Sequence, residues 1–360
     1  MADILLAADD RVLIFGACPP IGPSPAAQLS GVVEQVRDYS NVAESAFRHR
    51  VAEGLYYNLC QSGHLNLFRR EIRSALEHAF AVNQLVHPVL QQQEVELATT
   101  LKRKRATVIW LDSPSLTSHI YGDDFPRHSD GFEIVVTNEP DDRRVIGSLA
   151  ELGYRPVEQN RTLMRVLLGV ARDSQYLSIT GRTYRKIVRV PAIARHHSCV
   201  PDHPIFLGYL ITLVRVFGMS ILHGGSELPM QAVQDPSHSP SKYMGVRLED
   251  SVALLCGRAY YSSFSGPERQ LRYLYDVAAL VNRAARPLNW RHLYDRALRW
   301  GRVAPMFYVL GQIKQVFGLN IPDDLLARLA SSPGFPESDR GDMLPFLLNR
   351  PHVPALSFED

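Results

Sequence analysis

The sequence predicts an α+β protein, with a mixed-sheet core flanked by helical N-terminal and C-terminal regions. Three observations predict it. Residues 24–105 carry apolar side chains near helical spacing. From about residue 106, short β-branched apolar runs alternate with helical stretches. From residue 248 to about 330 the pattern is helical again. This divides the chain into a helical region over 1–105, an α/β core over 106–245, a helical bundle over 246–335 and an irregular tail over 336–360.

The elements follow in order. "GACPPIGPSP" is a loop by its prolines and glycines. "LNLFRREIRSALEHAFAVNQLV" puts Leu67, Ile72, Leu76, Phe80 and Leu85 on roughly one helical stripe. Pro88 is expected to interrupt or kink that run, because proline lacks the donor a helix interior needs. A further helix, "VLQQQEVELATTLKRKR", then ends in bases suited to a helix C-terminus. "ATVIWL" (106–111) and "FEIVVT" (132–137) read as strands, with the helical turn "SLTSHIYG" between them. "PDDRRVIGSLAELG" starts with proline and two aspartates and stops at Gly153, as helices do. "TLMRVLL", "QYLSIT", "RKIVRV" and "VFGMSIL" (216–222) are strand candidates. Helices are then expected in "LEDSVALLCGRAYYSSF", "PERQLRYLYDVAALVNRAA", "NWRHLYDRALRWG", "APMFYVLGQIKQVFG" and "PDDLLARLA".

Composition narrows the class. Hydrophobic residues make up 46% and charged residues 21%, an ordinary soluble balance with material for a sizeable core. A net charge of +2 gives no argument for a nucleic-acid or membrane partner. Only five of the 39 basic residues are lysine; the arginines suit phosphate contacts, though GC-rich coding explains them as well. Four scattered cysteines with no CxxC pair form neither a disulfide framework nor a zinc ribbon. The N-terminus lacks a basic n-region, and no apolar run spans a bilayer, so a cytoplasmic location is expected.

The stretch "WLDSPSLTSHIYGDDFPRHSDGFEIVV" (110–136) carries the main chemistry. Its layout of strand, small-residue turn, helix, acidic loop and strand suits a metal-dependent phosphoryl-transfer site, which needs two or more converging carboxylates. On a regular strand Asp130 and Glu133 point to opposite faces, while Gly131 and Glu133 share one. A bulge at 129–131 would re-aim Asp130. Asp112, ending the first strand, is a second carboxylate for the face of Glu133. "RHHSCVPDHP" (195–204) gathers possible metal ligands at spacings that fit no zinc pattern. "ILHGGSE" (221–227) offers His223 beside a glycine pair, and Ser226 or Ser113 with His223 would make a nucleophile–base pair, without a nucleophile-elbow motif. "LKRKR" (101–105) reads as a solvated helix end. The aromatics of the last helices read as core, with an apolar ligand pocket as the alternative.

Two blocks carry a resemblance to a known family. One is "VIWLDSPSLTSHIYGDDFPRHSDGFEIVVTNEPDDRRVIGSLAELGYRP". The other is "LRYLYDVAALVNRAARPLNWRHLYDRALRWGRVAPMFYVLGQIKQVFGLNIPDDLL", with Asp276 and the Arg-Trp-Gly run at 299–301. Together they resemble the bacterial uncharacterised nucleotidyltransferase family, whose core has the nucleotidyltransferase-like fold. The resemblance implies Mg²⁺-dependent nucleotidyl transfer with paired aspartates as metal ligands. It also implies a biosynthetic or surface-polymer setting.

Carried over residue by residue, the family's Lys-Gly turn becomes Asp112-Ser113. Its first aspartate falls on Gly131 and its second on Glu133. Its third acid falls on Ile221, with the following His223 retained. One acid of three remains, one methylene longer, which argues against an octahedral Mg²⁺ cage. The expectation is a repurposed, metal-independent enzyme that binds or converts another small-molecule ligand or pathway intermediate. Its acid–base candidates are Asp112, Asp130, Glu133 and His223. Its ligand-binding candidates are Ser113, Tyr121, Arg127, Lys242, Tyr260 and Asp276. No cofactor, metal ligand, nucleic acid or membrane is expected. The alternatives are an active nucleotidyltransferase with relocated carboxylates using Mg²⁺ and a nucleoside triphosphate, and a non-catalytic scaffold.

Overall fold

A computed structural model describes residues 7–19, 21, 29, 31–122, 125–129, 131–136, 138–157, 182–190, 205–206, 209–218, 247–264, 270–283, 287–333, 335 and 348. Asp130, His223, Lys242, the 195–204 cluster, the candidate strands over 162–168 and 175–180, and nearly all of the tail lie outside these residues.

The N-terminal region forms helices α1 (Ala8–Gly16), α2 (Tyr39–Arg48), α3 (Ala52–Gln61) and α4 (Arg70–Arg103). Asp38 starts α2 by accepting from the Ser40 and Asn41 amides. Helix α4 corrects the expected break: it runs unbroken for 34 residues with Pro88 inside. Pro88 and Gln84 are both exposed, so water can serve the Gln84 carbonyl that loses its donor. On the inner side Val82, Val86, Leu90 and Leu97 are fully buried. Each such side chain contributes about 1.5–3 kcal/mol, which together outweighs about 3 kcal/mol for an interior proline.

The core strands are β1 (Val108–Asp112), β2 (Gly131–Val136), β3 (Arg155–Pro156), β4 (Arg182–Arg189), β5 (Ile205–Phe206) and β6 (Tyr209–Gly218). They are ordered β1–β2–β6–β4–β3, with β5 also on β6. The β2–β6 pair is parallel and the others are antiparallel, so the sheet is mixed. Of the strand expected over 216–222, residues 216–218 fall within β6 (Tyr209–Gly218), and 219–222 lie outside the described residues. The alternation of β6 begins in "YLITLV", ahead of the run that the sequence singled out.

Helix α5 (Pro114–Tyr121) follows β1, capped by Ser113 Oγ on the Leu116 amide at 3.2 Å and ended by Gly122 at φ 83°. Helix α6 (Glu139–Glu151) follows β2, capped by Asn138 on the Asp141 amide. The C-terminal helices are α7 (Leu248–Phe264), α8 (Leu271–Asn282), α9 (Trp290–Arg299), α10 (Val303–Phe317) and α11 (Asp323–Ala330). Gly318 ends α10 in the left-handed region at φ 66°. Among the described residues no helix is long and apolar enough to cross a membrane.

The two sheet faces bury different cores. Phe132, Ile134, Val214 and Val216 pack against α4 and α6 with Val82, Val86, Leu90, Val145 and Leu149. Ile109, Leu111 and Val135 point the other way, into a larger core shared by the N-terminal and C-terminal helices. Hydrogen bonds tie those two regions together: the Tyr275 hydroxyl donates to the Ile14 carbonyl at 2.8 Å. Helices α7 and α8 therefore lie over the face that carries Glu133.

Candidate functional site

The site grows from a slip in strand pairing. Trp110 pairs with Ile134, but Asp112 pairs with Glu133, so Leu111 is an extra residue in β1. In regular register Asp112 would share the face of Trp110 and Phe132, which is apolar core. The bulge turns it to the face of Glu133. Two carboxylates, both nearly solvent-free, thus sit side by side.

Arginines surround them. Arg127 donates from Nη1 to Asp112 Oδ1 at 2.9 Å, and grips Asp276 of α8 through Nε and Nη2, each at 2.7 Å. The Tyr121 hydroxyl donates to the same Asp276 at 2.5 Å. Arg272, one turn before Asp276 on α8, reaches Asp112 Oδ2 at 3.9 Å. Glu133 Oε1 accepts from Arg215 of β6 at 2.9 Å and from Arg258 of α7 at 2.6 Å. The Tyr273 hydroxyl accepts from Arg258 at 2.7 Å and Arg272 at 2.8 Å, and both guanidinium groups lie against its ring. Beneath this layer His128 Nδ1 meets Glu53 Oε1 at 2.9 Å, and the His128 carbonyl accepts from Arg127 and Arg272.

Burial sets the protonation balance. It pushes the Asp112 carboxyl up, and neighbouring Glu133 and Asp276 add to that, while Arg127 and Arg272 pull it down. The Arg127 guanidinium is held well above its usual value by Asp112 and Asp276, against the effect of burial. The Tyr121 phenol is pushed far up by burial and by the Asp276 charge, so it stays a donor.

The N-terminus of α5, a place that favours anions, is filled from within. Glu94 of α4 accepts from the Ser115 amide at 2.9 Å, beside the Ser113 cap. Burial raises the Glu94 pKa above its ordinary value. A carboxyl raised on folding adds stability at acid pH that is lost as pH climbs through its folded value. Glu94→Gln keeps an acceptor for Ser115 without the buried charge. Denaturant unfolding is expected to show the variant gaining on the wild type as pH rises from the ordinary carboxyl range through the raised value of Glu94. A gap that stays constant would remove Glu94 as the titrating group.

The sequence candidates Asp112, Ser113, Tyr121, Arg127, Glu133 and Asp276 thus fall in one buried cluster. Tyr260 does not join it. It lies two residues beyond Arg258, about 200° around α7, and stacks on Tyr308 in the helical core at 5.8 Å. Sequence reasoning missed Arg215, Arg258, Arg272, Tyr273 and the Glu53–His128 pair. Arginine is so frequent here that, apart from Arg127, none stood out. The one local signal was Arg272 and Asp276 at i and i+4.

Residues 35–318 match the family described as "Uncharacterised nucleotidyltransferase". The chain belongs to this family. No curated protein and no solved structure matches it.

A nucleotidyltransferase of this kind implies Mg²⁺ held by carboxylates, and the described residues do not fit that ion. Gly131 supplies no ligand, and its site has no room for one. A Cβ there would overlap the backbone of Leu213 on β6, at a φ of +155°. Glu133 Oε1 is shared by two guanidinium groups, and Asp112 is held by Arg127. Among the described residues no three of His, Cys, Asp and Glu gather to hold a metal ion. The positive charge facing these carboxylates is supplied by arginine side chains.

Proposed function

We propose that this member of the nucleotidyltransferase family has lost Mg²⁺-dependent nucleotidyl transfer. In this reading it is a cytoplasmic protein of a biosynthetic pathway that binds or converts an anionic ligand without metal. The observation that carries the reading is Glu133, bonded at 2.9 and 2.6 Å to Arg215 and Arg258. Those guanidinium groups take the role of the cation. They remain partly open to solvent, at 20% and 11% of their side-chain surface. That open surface is where an incoming phosphate or carboxylate would meet guanidinium charge. Asp112, raised by burial and set beside Glu133, is the proton carrier of this reading. Arg127, Asp276 and Tyr121 hold it in place.

The test is calorimetric titration of the full chain with ATP, CTP, GTP and UTP, with and without Mg²⁺. We expect no Mg²⁺-dependent binding. If one triphosphate binds only with Mg²⁺, and Glu133→Gln abolishes it, the protein is an active nucleotidyltransferase using relocated acids. The adjacency of Asp112 and Glu133 is the observation that favours this second reading.

A further inference from the structure

Beyond the buried cluster, the sheet face that carries Glu133 continues into solvent. Residues directly opposite across paired strands share a face. Glu133 pairs with Arg215, which pairs with Thr183. Continuing along β6 and β4, Leu213 pairs with Arg185, Ile211 with Ile187 and Tyr209 with Arg189. On β3, Arg155 pairs with Arg185. The opposite face is identified independently: Lys186 lies 5.4 Å from the Tyr154 ring and pairs with Glu96 of α4.

This outward strip has an unusual make-up. Arg155, Arg185 and Arg189 are exposed, and among the described residues no acid pairs with any of them. Arg155 and Arg185 stand opposite each other, a like-charge pair that destabilises a sheet unless an anion joins it. Between the arginines lie Ile187, 58% exposed, and Tyr209, 44% exposed, with half-buried Ile211 and Leu213 beside them. The strip leads to Arg215 and hence to Glu133.

We infer that this strip is a docking surface for an extended, acidic peptide segment of a partner protein. Arg185, Ile187 and Arg189 repeat base–apolar–base at two-residue steps of about 6.4–6.8 Å. An extended peptide with acidic, apolar and acidic side chains on one face has the same repeat. The middle of the strip is aliphatic, and among the side chains described there Tyr209 is the exposed ring. That fits an aliphatic side chain better than a run of stacked bases, which needs several aromatic platforms. The inference does not rest on the loss of metal chemistry. Mg²⁺-dependent nucleotide binding would overturn that loss and leave the peptide surface untouched.

The test is fluorescence anisotropy on the full chain. The probes are a labelled peptide repeating Asp-Ser-Val-Ser, which places aspartate and valine in turn on one face of an extended chain, its Lys-Ser-Val-Ser counterpart, and a labelled oligothymidylate. Saturable binding of the acidic peptide alone is expected. Arg185→Glu and Ile187→Asp should each weaken it about tenfold, the scale of one charge-assisted contact or one buried aliphatic side chain. Arg143→Glu, on the exposed side of α6, should leave it unchanged. Thermal melts of each variant check folding; both strip positions face solvent, so the melts should stay close to wild type. Several results would overturn the inference: no saturable binding, binding indifferent to Arg185 and Ile187, or equal loss in Arg143→Glu. Oligothymidylate binding as tight as the peptide and sensitive to the same residues would also overturn it and make the strip a nucleic-acid surface.

Discussion

Arg127→Ala is expected to destabilise the protein by about 3–5 kcal/mol, a large share of the total stability of a typical domain. The substitution removes a side chain that bonds both Asp112 and Asp276, and all three are nearly free of solvent. What remains is two buried carboxylates with their chief counter-charge gone, which costs more than the pair contributed when intact. Chemical denaturation reads the effect directly. Adding Asp112→Asn and Asp276→Asn to Arg127→Ala separates charge from packing. If the stranded charges are the cause, the triple variant is more stable than the single one. If lost packing is the cause, the triple variant is no better.

Gly131→Asp is expected to yield no properly folded protein, a loss of more than roughly 4 kcal/mol. The resemblance drawn from the sequence places an aspartate at this position, so the substitution looks like a restoration. Here it is a collision. β2 runs beside β6 so closely that any Cβ on residue 131 overlaps the Leu213 backbone, and neither strand can yield without breaking their parallel pairing. Gly131→Ala should fail for the same reason, which separates the steric cause from the added charge. Soluble yield and a thermal melt measure both. A well-folded Gly131→Asp with a wild-type melting temperature would mean that the strands can part, and would reopen the metal site.

Much of the fold was legible in the sequence because it is encoded locally. Ser113, Asn138 and Gly318 sit where the structure uses them as caps, and the β-branched runs around Ile109 and Ile134 became neighbouring strands. The acids were legible as residues but not as a site. Nothing local marks Leu111 as a bulge, yet that one extra residue moves Asp112 from the apolar face to the side of Glu133. The arginines were less legible still. Arg215 and Arg258 meet Glu133 from 82 and 125 residues away, and no spacing rule reaches so far. Pro88 misled for the opposite reason. A local rule was applied where burial along the whole of α4 decides the outcome.

Helix α4 has a consequence for how the molecule comes apart. It is a single rod about 50 Å long. Its first half places Leu76 and Ala79 in the core shared by the terminal helices, and its second half places Val82 to Leu101 in the core under the sheet. Neither core can dissolve without releasing one end of a helix that also organises the other. Native-state hydrogen exchange should therefore find the amides on both sides of Pro88 opening together, in one cooperative unit that spans the N-terminal helices, the sheet and the C-terminal helices.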